Sequence, residues 1–102
     1  KLAAAAIFMA AASNAKKLYD SSYAKDTKLC SNAKTPSDQK RCMTKAKINA
    51  LTQKYNSLKR DLPKCAQAYN VDSCKKRFDT ELTKVRDEIL TSKKDLYGWK
   101  NN

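Results

Sequence analysis

Apolar residues recur at helical intervals along most of this chain. Ile48, Leu51, Tyr55, Leu58 and Leu62 follow steps of 3, 4, 3 and 4 residues, which places them in one stripe on a helix. Cys74, Phe78, Leu82, Val85, Ile89 and Leu96 form a second stripe of the same period. The two stripes match in length, and an antiparallel helical hairpin buries both. Thr35-Pro36-Ser37-Asp38 predicts the start of the first of these helices: a capping Thr, a Pro at the first helical position, and an acid three residues after the cap. That helix is expected to run to Leu62, where Pro63 stops it. A short connection, 63–70, follows, with one helical turn carrying Cys65 and Tyr69. Asp72 is the expected cap of the last helix, Ser73 to Tyr97; Lys93 and Lys94 suit its negative end and Gly98 its C-terminal cap.

Cys42, Met43, Ala46 and Ala50 fall on the side of the middle helix opposite its stripe. A helix apolar on two sides is sandwiched, so an earlier segment is expected to fold back over its N-terminal half. That segment is predicted as a helix from Lys16 to Leu29, with Tyr19, Tyr23 and Cys30 on one side. Residues 1–15 read differently: a basic Lys1, an apolar run from Leu2 to Ala12, then Ser13-Asn14-Ala15, a small-x-small cleavage site. They are expected to be the remnant of a secretory leader. The rest, 16–102, is then one domain.

Gly occurs once and Pro twice, so few residues break helices and an all-α fold is expected. A domain this small buries a thin core, and cross-links help to hold it. In an exported chain the four cysteines are candidates for two disulfides. A straight middle helix keeps Cys42 roughly 30 Å from the turn that holds Cys65 and Cys74. Bridged α-carbons lie within about 7 Å, which leaves Cys30–Cys42 and Cys65–Cys74. The spacings, Cys-x11-Cys and Cys-x8-Cys, are wide for a zinc knuckle and His is absent, so no metal or other cofactor is expected. Without His no side chain titrates near neutrality at its ordinary value, and no nucleophile motif is recognisable, so the chain does not read as an enzyme.

The segment Cys30-Ser-Asn-Ala-Lys-Thr35-Pro36-Ser-Asp38-Gln-Lys-Arg-Cys42 resembles the opening motif of the LprI-like lysozyme-inhibitor family, small exported bacterial proteins with paired cysteines. Leu51, Tyr55 and Leu58, then Arg60-Asp61 ahead of Cys65, then Cys74 with Phe78, extend the likeness more loosely to Leu82. The family's Gln and Trp before Arg-Asp are missing here, and the last helix is more basic. The resemblance implies a helical domain of the cell envelope and, for some members, lysozyme inhibition.

The net charge is +12, from 22 Lys and Arg against 10 Asp and Glu. Such an excess favours anionic partners and repels a basic lysozyme at long range. Three functions follow as expectations, all periplasmic or secreted. The first is a binding protein that engages a protein partner, a lysozyme among the candidates, through Tyr69, Arg77, Tyr97 and Trp99, because aromatic and Arg side chains dominate interface energy. The second is binding to anionic envelope polymers, a membrane surface or nucleic acid through Lys40, Arg41, Lys45, Lys47, Lys75, Lys76 and Arg77. The third is a phage- or plasmid-encoded envelope factor that controls lysis or exclusion. A homodimer is a further option, with Tyr55, Phe78 and Ile89 in its seam.

Overall fold

A computed structural model describes residues 1–97. Three helices follow one another: α1 (Ala4–Cys30), α2 (Pro36–Asp61) and α3 (Val71–Tyr97), with a 3-10 helix (Leu62–Gln67) between the last two. The described residues contain no strand, only an isolated parallel bridge between Leu2 and Ala68. Among them no helix is long and apolar enough to cross a membrane. The fold is the expected all-α hairpin with an N-terminal helix, stapled by Cys30–Cys42 and Cys65–Cys74, each with its α-carbons 5.5 Å apart.

The start of α2 follows its sequence signal: the Asp38 N–H donates to the Thr35 hydroxyl oxygen at 3.0 Å, and Pro36 opens the helix. The start of α3 does not. Asn70, not Asp72, is the cap, because its side-chain oxygen accepts from the Ser73 N–H at 2.9 Å and its carbonyl from the Cys74 N–H at 3.2 Å. The helix therefore begins at Val71, and Asp72 sits in its first turn, where a carboxylate still favours the positive end of the dipole.

Helix α1 begins 12 residues before the expected Lys16 and runs without interruption through it. Alanine is the strongest helix former, and the run 3–12 also finds a face to bury. Ile7, Ala11 and Ala15, spaced four apart, are buried in the common core. The Phe8 ring meets Phe78 of α3 edge-on, with centroids 5.3 Å apart and planes at 88°. Ahead of the helix, Leu2 is held by two backbone bonds: its N–H donates to the Gln67 carbonyl and its own carbonyl accepts from the Tyr69 N–H, both at 2.9 Å.

Leu51 and Leu58 of α2 meet Phe78, Leu82 and Val85 of α3 in that core, beside Cys65 and Cys74. Ala46 and Ala50 lie one and two turns beyond Cys42 on the same face of α2, which the Cys30–Cys42 bridge ties to α1; both are buried. The sandwiched middle helix is thus observed. Phe78 is fully buried within the chain and Tyr55 and Ile89 are half-buried, so Phe78 has no surface to give a dimer seam. The α-carbons span 54 × 31 × 15 Å, a slab about two helix layers thick.

Candidate functional site

Between Asp38 and Asp61, α2 carries seven cations and no acid: Lys40, Arg41, Lys45, Lys47, Lys54, Lys59 and Arg60. The fold sorts them. Lys54 turns to α3 and pairs with Glu81 at 3.5 Å, both side chains 24 % exposed. Lys40 and half-buried Arg41 line a 210 Å³ cleft with Ser37, Thr44, Asp95 and Leu96. Lys47 leans over a 580 Å³ trough on α3 that gathers Lys84 with Asp87, Glu88 and Asp95. Lys59 and Arg60 are exposed on the outer face with Thr52 and Asn56, and exposed Lys45 continues that face at the edge of a groove against α3. On a helix they spread over about 22 Å of one side. The Lys59 ammonium lies 6.0 Å from the centre of the Tyr55 ring, at the outer limit of a cation–π contact, which holds the side chain near the surface.

The basic run on α3 is also divided. Lys76 and Arg77 line a 460 Å³ cleft with Phe8, Ser73, Thr80 and Glu81, while Lys75 is exposed outside it. Three consecutive helical residues point in directions about 100° apart, so one site takes at most two of them.

The aromatic anchors do not converge. Tyr69 is 75 % exposed at the turn end, beside Leu2 at 52 %. Tyr97 closes the other end of α3, about 40 Å from its start by the rise of a helix. There it lines a 260 Å³ groove with Lys45, Ile48 and Leu96. Arg77 stands near the Tyr69 end. Trp99, like Gly98, lies outside the described residues.

Sequence reasoning names Tyr55 for the apolar stripe and Arg60 for the family likeness, but does not place Lys59 and Arg60 among the anion-binding candidates when the basic runs are taken one at a time. The signal that finds them is a whole helix free of acid between its two terminal aspartates. Phe8 and Leu2 escape it because residues 1–15 read as a leader.

Burial pushes the Tyr19 phenol above its ordinary 10.0, with Tyr23, Glu88 and Asp20 adding to the effect. Its ring stacks on Tyr23, centroids 5.9 Å apart, as a packing group. No three His, Cys, Asp or Glu side chains among the described residues gather to hold a metal ion. The two disulfides, with no cysteine left free, suit a non-reducing compartment. No family model, curated protein or solved structure matches this chain.

Proposed function

We propose that the protein is a periplasmic or secreted binding module, without catalytic activity, that engages a polyanion through the outer face of α2. The carrying observation is the acid-free stretch between Asp38 and Asp61, of which Lys45, Lys59 and Arg60 remain exposed and, among the described residues, without an ion-pair partner. Charge of one sign spread along a rigid helix matches the repeating charge of a polymer better than it matches a compact ligand.

The test is binding to inorganic polyphosphate as salt is varied. Substituting Lys45→Gln, Lys59→Gln and Arg60→Gln together is expected to lower the slope of log K against log salt by about 2–3, roughly one counterion per lost contact. An α1 triplet, Lys16→Gln, Lys17→Gln and Lys25→Gln, removes the same charge from another face and is expected to lower it less. Equal losses from both triplets would mean that net charge alone attracts the polymer, and the α2 reading would fail.

A second reading, the lysozyme-inhibitor-like one, draws on Asp87, Glu88 and Asp95, three carboxylates in one trough on α3. They supply local acid for a basic partner despite the overall charge, although Lys47 and Lys84 sit among them. Retention of a lysozyme by the full chain at high salt, lost on Asp87→Asn with Glu88→Gln, would favour it over the polymer.

A further inference from the structure

The cleft between the N-terminal halves of α1 and α3 brings cations, hydroxyls and an aromatic wall together. It has an apolar wall, Phe8, whose ring is fixed edge-on by Phe78. Its rim carries Lys76 and Arg77, neither of which forms an ion pair among the described residues. Its one carboxylate, Glu81, is already paired with Lys54. Two hydroxyls, Ser73 and Thr80, complete the lining. Three helical threonines elsewhere, Thr27, Thr44 and Thr52, turn back on their own helices and donate to the carbonyls of Tyr23, Lys40 and Ile48, whereas Thr83 and Thr91 of α3 do not. The Ser73 and Thr80 hydroxyls make no such bond among the described residues, and stay available to a ligand.

The geometry points to a site for a small organic phosphate: a phosphate head held by Arg77, Lys76 and the two hydroxyls, on an apolar or planar body laid against Phe8. The volume of 460 Å³ falls within the range of small-molecule sites. A guanidinium fork, an ammonium and two hydroxyls offer more donors than a carboxylate's two oxygens use. A phosphate has the additional acceptors, and Arg is the side chain that meets it with two parallel bonds. A body without charge is required by the wall, since Phe8 brings no hydrogen-bonding group. The site does not rest on the α2 reading, because Lys45, Lys59 and Arg60 take no part in it.

The experiment is an amide chemical-shift titration of the full chain with phenyl phosphate and, separately, with monomeric dihexanoyl phosphatidic acid. Saturable shifts confined to Ser73, Lys76, Arg77, Thr80 and the Phe8 region are expected with at least one of them, and the tighter arm separates a soluble ester from a lipid head. Arg77→Gln is expected to weaken that binding at least about tenfold, the loss of charge-assisted bonds. Thr80→Val, an exposed change that leaves the core intact, is expected to weaken it by a smaller factor, while Lys59→Gln leaves it unchanged. Shifts that never saturate and spread to Lys45 and Lys59 would overturn the site. So would inorganic phosphate that binds as tightly as both esters, since Phe8 would then contribute nothing, or an Arg77→Gln chain that binds as before.

Discussion

Single side chains cap the starts of α2 and α3, and they do so by the same bond. Thr35 and Asn70 each accept from the backbone N–H three residues on, at 3.0 and 2.9 Å. Replacing either by Ala leaves an exposed N–H to water and is expected to lower unfolding free energy by about 1 kcal/mol, measured by urea denaturation. Ser57 is the opposite case: its hydroxyl is buried with no partner, so it contributes desolvation cost and no bond. At this scale Thr35 is legible because Pro36 and Asp38 stand beside it, three signals that agree. Asn70 is not, because Asp72 is as good a capping residue by type, and only the path of the chain out of the 3-10 helix decides which of the two reaches an open N–H. Tyr69 and Tyr97 are legible as exposed aromatics, yet their separation along α3 depends on both lying near the ends of one uninterrupted helix, so they make no joint anchor.

Among the elements, α2 and α3 follow their stripes closely, since a period of 3.5 to 3.6 carried over five positions in one and six in the other has no other simple burial. Helix α1 is where pattern reading stops short. An alanine run preceded by lysine reads equally as a leader or as a helix, and composition does not separate the two. In the folded chain Ile7, Ala11 and Ala15 are in the core, Phe8 covers Phe78, and Leu2 is bonded to the connection before α3. A chain that starts at Lys16 therefore loses one wall of the core. Compared with the full chain it is expected to be destabilised by several kcal/mol and to bind a hydrophobic dye, because Phe78, Leu58 and Leu82 gain exposure. Equal melting temperatures for the two chains would show that the first half of α1 adds nothing to the fold. The cleft at Phe8 would also be absent from the shorter chain, whereas the outer face of α2 would keep its cations.

Across the whole molecule, charge outweighs every other feature. The net +12 is what remains after all ten acids are counted, so ion pairs such as Lys54–Glu81 and Lys64–Asp61 place charges without lowering it. Exposed cations that neighbour one another on a helix, such as Lys59 and Arg60, lie within about one Debye length at physiological salt, so self-repulsion acts locally on the fold. The melting temperature is expected to rise from low to moderate sodium chloride, and a polyanion at the same ionic strength should raise it further. A melting temperature that falls with sodium chloride would show that attractive pairs outweigh the repulsion. The net charge can be read from the sequence but its layout cannot: that Lys54 is paired with Glu81, and that Lys40 and Arg41 share a cleft with Asp95, depends on how α3 lies against α2.

Both covalent links join neighbours in cysteine order, first with second and third with fourth, across 12 and 9 residues. For a chain threaded N-terminus first into an oxidising space, Cys42 is the first thiol that Cys30 meets, and Cys65 finds only Cys74 still reduced. In a chain so threaded, order of arrival alone favours the two observed pairings over the two alternatives.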